Sequence, residues 1–398
     1  MFPLLVFLIG SVYSQNWKIS TSGTTNNLNA VCFVSADTGY VAGDKITVLK
    51  TVDGGLNWIP RNVNLPNTIS FKSIFFRNAL TGWVVGQTGI ILRTTDGGNT
   101  WLTPGSLMPY IEVLNAVDFP THDTGYVVGG SHTNPAGYFD KSATAGYLWM
   151  PGVVIGAHCL NAVHFTDVYK GCTVGDSGTI LKTSDGAITW NNIPSATTKD
   201  LNSVFFTDMN NGFIVGDSGL ILRTANGGDN WTFAYSGTSE NLLSVYFYDP
   251  DTGYACGDNG IILNTSDGGN SWTSMWSGTS KRLHSICFPG AETGYAVGDS
   301  GTILKTTNGG GVGITHNTQG SKKVRIFPNP ATDCFTIEIA EVFENATIVI
   351  ANVTGEIVYK QTIRANRIKV DCHDLPPSVY ILHCTDNKTQ CHLKVVRK

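Results

Sequence analysis

Short alternating apolar runs, rather than helical spacing, dominate this chain. LNAVCF at Leu28, FKSIFF at Phe71, LNAVDF at Leu114, LNAVHF at Leu160, LNSVFF at Leu201, LLSVYF at Leu242 and LHSICF at Leu283 align with one another. Their starts lie 43, 43, 46, 41, 41 and 41 residues apart. Each unit continues with a second alternating run such as TGYVAG (Thr38–Gly43), then a third such as IILRT (Ile90–Thr94). A glycine-rich turn and a tryptophan then open a fourth. Period-two alternation in four short runs, repeated seven times, predicts seven four-stranded sheets arranged around an axis. The expected fold is all-β, a seven-bladed β-propeller.

The fourth run begins at Trp58, Trp101, Trp149, Trp190, Trp231 and Trp272, but the seventh unit ends in TTNGGGVG without a tryptophan. The missing strand is found at the other end. Trp17 precedes Leu28 by 11 residues, as Trp272 precedes Leu283. Residues 16–21 are therefore predicted to complete the last blade and close the ring, removing two exposed sheet edges. The third unit departs from the others. SATAGYLW (Ser142–Trp149) carries Thr144 where other units have an acid or amide, and the connection GSHTNPAGYFDK (Gly130–Lys141) is about five residues longer than its counterparts.

Composition adds export and charge. The N-terminal MFPLLVFLIGSVYS is an apolar run too short to span a bilayer and reads as a signal peptide ending at Ser14. Residues 1–320 hold 15 Lys+Arg against 22 Asp+Glu, whereas residues 321–398 hold 11 against 8. Neither part has a basic stripe with interleaved aromatics, which argues against nucleic acid as a partner. No segment after the leader is long and apolar enough to be a transmembrane helix. Nine cysteines leave at least one unpaired. Cys32 and Cys287 share one repeat position, and Cys384 and Cys391 bracket TDNKTQ, where a hairpin would set them opposite each other for a disulfide. No metal site or cofactor is expected, since the cysteine spacing lacks a C-x-x-C pair.

The candidate chemistry begins with Gly-Asp-Ser-Gly, the tetrapeptide that surrounds a serine-protease nucleophile. It recurs at 175–178, 216–219 and 298–301, with Gly-Asp-Asn-Gly at 257–260. A motif present in four blades at one repeat position is a hairpin turn, not an active site. The second-to-third turns of the blades place Asp44, Asp176, Asp217, Asp258 and Asp299, with Gln87 in blade 2, as a ring on one face; the five aspartates are joined by the long loop with His132, Asn134 and Tyr138. The five aspartates and these three loop residues are the candidate ligand-binding set. No catalytic residue is assigned.

The element T-x-D-x-G-x-x-W at Thr51–Trp58, Thr94–Trp101, Thr183–Trp190 and Thr265–Trp272 resembles the Asp-box of sialidases and BNR-repeat proteins. In that family the box lies outside the catalytic centre. Asp53, Asp96, Asp185, Asn226, Asp267 and Asn308 are accordingly structural, their side-chain oxygens accepting N–H bonds within the hairpin. A sialidase also needs clustered arginines, whereas Arg93 and Arg223 are separated around the ring and only Glu112, Glu240 and Glu292 are present in the propeller.

Whole units such as LNSVFFTDMNNGFIVGDSGLILRTANGGDNW resemble the propeller family that includes the photosystem II stability and assembly factor. That factor is marked by a basic patch, whereas this propeller is acidic and has five arginines. The tail, VRIFPNPATDCFTIEI through IKVDCHDLPPSVYILHCTDNKTQCHLKVVRK, resembles the C-terminal sorting domain of type IX secretion in Bacteroidota. Its landmarks are Pro328-Asn329-Pro330, Gly355-Glu356, Leu375-Pro376 and the basic Lys394–Lys398 end; its alternating runs predict a small β-sandwich.

The expected organisation is a signal peptide at 1–14, a propeller at 15–313, a linker at 314–323 and a sorting domain at 324–398. The tail resemblance implies the type IX machinery as one partner, passage through the periplasm, and a secreted or outer-surface location. The expected function is a non-catalytic binding or scaffold module for a protein or glycan. The alternatives are a secreted glycoside hydrolase built on the propeller and an assembly factor.

Overall fold

The computed structural model describes residues 17–104, 113–131, 136–150, 153–156, 158–310, 324–327, 333–339, 346–352, 357–363, 367–385 and 390–397. The leader, His132 and Asn134 lie outside them. The chain divides into two compact units, Met1–Gly311 and Val312–Lys398.

The first unit is a seven-bladed propeller. Its opening strand β1 (Lys18–Ser20) does not pair with the strand that follows it in sequence. It pairs antiparallel with Thr302–Thr306, with Lys18 opposite Lys305, and so becomes the outer strand of blade 7. Blade 1 is the meander β2 (Leu28–Phe33), β3 (Gly39–Gly43), β4 (Val48–Thr51) and β5 (Ile59–Pro60). Blades 2 to 7 follow the same plan, with inner strands at Phe71–Phe76, Val113–Asp118, Leu160–Phe165, Leu201–Phe206, Leu242–Phe247 and Leu283–Cys287, and in blade 2 the fourth strand is reduced to the bridge Arg93–Leu102. The described residues include no α-helix, and no helix is long and apolar enough to cross a membrane.

Aromatic rings join the blades. The phenylalanine at the end of each inner strand, or directly after it in blades 3 and 7, meets its own blade's tryptophan edge-on, as in Phe76–Trp101 at 6.1 Å and Phe247–Trp272 at 5.9 Å. Trp17, fully buried, makes the same contact with Phe288 at 5.8 Å in the closing blade. Each such phenylalanine except Phe206 is also stacked by an aromatic from the second strand of the preceding blade. Edge and face contacts of this kind add about 0.5–1.5 kcal/mol per pair beyond burial, and they recur around the ring.

The third blade differs from expectation. Its second and third strands extend to Gly125–Ser131 and Ala136–Ser142, so the long connection shrinks to four residues beyond the strands. Tyr138 is consequently a strand residue paired with Gly129 and packed against the Trp83–Phe119 cluster, not part of an exposed loop. The extra residues lengthen a hairpin ladder, which satisfies their backbone groups better than an open loop would.

The described tail residues form two antiparallel sheets. One orders Val324–Phe327, Cys334–Ile339 and Arg367–Asp371; the other orders Ile357–Ile363, Ala346–Asn352, Ser378–Thr385 and Gln390–Arg397. Phe335, Ile337 and Val370 of the first share an apolar cluster with Ile348, Ile350 and Leu382 of the second. The backbone register sets Cys384 opposite Cys391.

Candidate functional site at the channel mouth

The inner strands owe their surface to a bulge. In all seven blades the pairing register shifts across the residue after the first leucine or phenylalanine, for example between Leu28 and Ala30. The extra residue breaks strict alternation, so positions 2, 3 and 5 of the strand are part-exposed while 1, 4 and 6 are buried, as in Leu160–Phe165. The bulged position is Asn29, Lys72, Asn115, Asn161, Asn202, Leu243 and His284 in blades 1 to 7. At this end of the axis a hollow of about 510 Å3 is lined by Asn29, Lys72, Asn161, Asn202, Asp217 and His284, among others.

The asparagines hold adjacent blades together. Asn161 Nδ2 donates to Asp176 Oδ1 at 2.9 Å and to the Leu201 carbonyl of the next blade at 3.2 Å. Asn202 donates to Asp217 Oδ1 at 3.0 Å and to the Leu242 carbonyl at 2.9 Å, and Asn29 likewise to Asp44 Oδ1 and the Phe71 carbonyl. His284 Nε2 lies 2.7 Å from Asp299 Oδ1. In blade 6, where Leu243 has no polar group, Arg282 Nε takes the Asp258 carboxylate instead at 2.6 Å. With both amide hydrogens committed, the asparagines can still offer oxygen atoms as acceptors. Lys72 makes no hydrogen bond or ion pair among the described residues and leaves one ammonium for a ligand.

Each of the five turn aspartates thus has a side-chain partner at the mouth. Asp176 and Asp217 line the hollow directly. The turns are tight two-residue hairpins. Thr179 N–H donates to the Asp176 carbonyl at 3.1 Å, and Ser177 at φ 55° precedes Gly178 at φ 73°. Both central residues are left-handed, the turn that matches strand twist. Ser177 N–H donates across the seam to Asp200 Oδ1 at 2.8 Å, and Ser218 and Ser300 repeat this with Asn241 and Asn27. Ser177 is therefore a turn residue, and its carboxylate neighbour bonds a strand amide.

The tryptophan hairpins lie at the opposite end. Thr51 Oγ1 donates to Asp53 Oδ1 at 2.8 Å, and Asn57 N–H donates to the same oxygen at 2.9 Å. The Asn57 backbone and side-chain bonds hold the Asp53 carboxyl down at about 2, and bonds from Thr189 do the same for Asp185. Asp96 and Asp267 accept the Thr100 and Ser271 N–H groups, while Asn226 accepts from Asn230. Asn308 accepts from Thr306 Oγ1. Thr144 replaces the acid in blade 3 and accepts the Leu148 N–H with its hydroxyl at 2.9 Å.

Sequence reading missed the mouth asparagines and Lys72, because alternation alone puts the second residue of a strand on the opposite face from the third. The repeated Leu-Asn pair was the available signal.

Seven such sheets around a polar mouth define a seven-bladed β-propeller, a fold shared by many unrelated proteins. The model of the photosynthesis system II assembly factor YCF48 matches residues 9–104, 144–235 and 235–315, and the chain belongs to that family. The model of the secretion system C-terminal sorting domain matches residues 325–398 and implies delivery to the cell surface or beyond.

Among solved structures, YCF48 bound to D1 peptide superposes with a TM-score of 0.61 at 22% identity, covering 74% of this chain and 95% of that one. YCF48 from Cyanidioschyzon merolae gives 0.60 at 21%, with 73% and 98% covered. The WD40 propeller domain of Doa1 gives 0.58 at 12%, with 72% and 96% covered. These likenesses establish the fold. An endo-acting ulvan lyase of Formosa agariphila is 29% identical over 89 residues, which is 22% of this chain and 17% of that protein.

Proposed function

We propose that this protein is an exported propeller that acts as a non-catalytic binding module, with its ligand docking at the channel mouth. The observation that carries this reading is the hollow of about 510 Å3 whose lining combines Lys72, unpartnered among described residues, with Asn29, Asn161 and Asn202. Such a surface of acceptor oxygens, with the Asp176, Asp200 and Asp217 carboxylates in the same lining as Lys72, suits a protein or glycan segment rich in hydrogen-bond donors that also offers Lys72 an acceptor. His132, Asn134 and the turn aspartates belong to the same proposed docking face. The tail, read as a β-sandwich, addresses the chain to type IX secretion, and the leader up to Ser14 carries it to the periplasm. A Cys384–Cys391 disulfide is part of this proposal.

Glycan and peptide arrays probed with the full chain test the reading. A bound class that Lys72→Met weakens about tenfold, with an unchanged circular dichroism spectrum, supports it. Release of reducing ends or unsaturated sugars from any glycan by the purified protein overturns it in favour of an enzyme. Intact-mass measurement of the secreted form checks cleavage after Ser14.

A further inference from the structure

One junction of the ring lacks its aromatic plug. Tyr40, Trp83, Tyr126, Phe213, Tyr254 and Tyr295 stack on the next blade's phenylalanine, with ring centroids from 3.4 Å (Tyr40–Phe76) to 4.1 Å (Phe213–Phe247). Blade 4 carries Cys172 at this position, facing Phe206 of blade 5, and a thiol cannot cover a ring. A cleft of about 170 Å3 opens there, lined by His164, Lys182, Phe206 and Met209, at the end opposite the mouth. Its size compares with the roughly 150 Å3 in which an apolar protein cavity holds benzene.

The tyrosine junctions show what such a slot accommodates. Tyr40 lies flat on Phe76, donates its hydroxyl to the Ala79 carbonyl at 2.7 Å, and has Lys50 Nζ 5.2 Å from its ring centre. Tyr126 repeats this with the Val168 carbonyl and Lys141, whereas Tyr295, with Lys305 over its ring, donates to the Gly54 carbonyl of the tryptophan hairpin. In the blade 4/5 junction every receiving group has its counterpart. Phe206 is the floor, Lys182 the cation, and Met209 holds the repeat position of Ala79. Without a ring beneath it, Lys182 Nζ turns to Asp229 at 2.5 Å, whereas Lys50, Lys141 and Lys305 bond backbone carbonyls. His164 lies nearly parallel to Phe206 at a centroid distance of 6.1 Å, too far to fill the gap, and its buried Nδ1 has no partner. Asp229 is 63% exposed at the rim, so the slot opens to solvent.

We propose that the cleft between blades 4 and 5 is a binding site for a p-hydroxyphenyl ring, seated on Phe206 under Lys182 with its hydroxyl at the Met209 carbonyl. The shared chemistry is a phenol. It comes either from a small phenolic compound or from a tyrosine side chain of a partner segment, and the site is separate from the mouth.

Fluorine NMR of 4-fluorophenol with the full chain tests this. The signal is expected to broaden and shift saturably with the wild type. Cys172→Tyr places the chain's own ring in the slot, raises Tm and weakens binding at least about tenfold. Lys182→Met leaves the slot open and weakens binding several-fold through the lost cation–π contact, which supplies an independent reading should Cys172→Tyr fold poorly. Competition distinguishes the sources. Gly-Tyr-Gly displacing the probe at about tenfold lower concentration than p-cresol assigns a tyrosyl partner, and equal potency assigns the free phenol. Absence of saturable binding, or equal binding by both variants, overturns the proposal, as does equal displacement by cyclohexanol.

Discussion

At the residue scale, Asp140 is the main departure from the repeat. Leu49, Leu92, Leu181, Leu222, Leu263 and Leu304 occupy its position in the other blades. Asp140 is 2% exposed, its register partner Val127 belongs to the apolar seam with blade 2, and neither carboxyl oxygen has a hydrogen-bond partner among the described residues. Burial alone pushes its pKa up to about 7. The native state therefore holds a proton that the unfolded chain releases near pH 4. Stability falls as pH rises from about 4 to 7 and stays reduced above. Asp140→Leu is expected to stabilise the protein by about 4 kcal/mol at pH 8 and to flatten the pH dependence of urea midpoints between pH 4 and 7. Neither the substitution nor its burial was read from the sequence, because the longer connection masked the register. In the turns, the glycine requirement was legible, as at Gly178, where a Cβ would stand 2.0 Å from the Thr197 carbonyl oxygen. Ile46 at φ 54° in the corresponding turn of blade 1 was not, since its packing offsets the backbone strain.

At the element scale, each third strand sends a long side chain across the seam to the next tryptophan hairpin. Arg93 Nε donates to the Ala145 carbonyl at 2.9 Å, and Lys141 Nζ to that of Gly186 at 2.7 Å. Blade 6 carries Asn264 instead, and its amide donates within its own blade, to the Gly253 carbonyl at 3.1 Å. Asn264→Lys is expected to bridge blades 6 and 7, stabilising by about 0.5–1 kcal/mol. Calorimetry should record a Tm rise of about 1–3 °C. Four strands per unit, the tryptophan positions and the hairpins were all legible as periodicity. The inner-strand bulge was not, for it is a backbone event without its own residue type, and with it the mouth went unread. Arg93 and Arg223 appeared merely scattered in sequence, while in the fold each is spent on a neighbouring hairpin.

At the scale of the whole molecule, ring closure by β1 was readable from one spacing, that of Trp17 to Leu28. Trp17→Ala removes a fully buried indole beside Phe288 and loosens the strand that seals blade 7. A loss of about 3–5 kcal/mol is expected, measured by chemical denaturation, with proteolysis beginning in blade 7. The pairing of Lys18 with Lys305 also sets a timetable. Its partners are separated by nearly the entire propeller, so bringing them together costs about 3 kcal/mol more entropy than closing a ten-residue hairpin. A chain still being made has no blade 7 to offer β1, and its first residues must wait unpaired until the last repeat exists. The latch that completes the ring therefore doubles as a clock: the finished propeller appears only after its whole length is available.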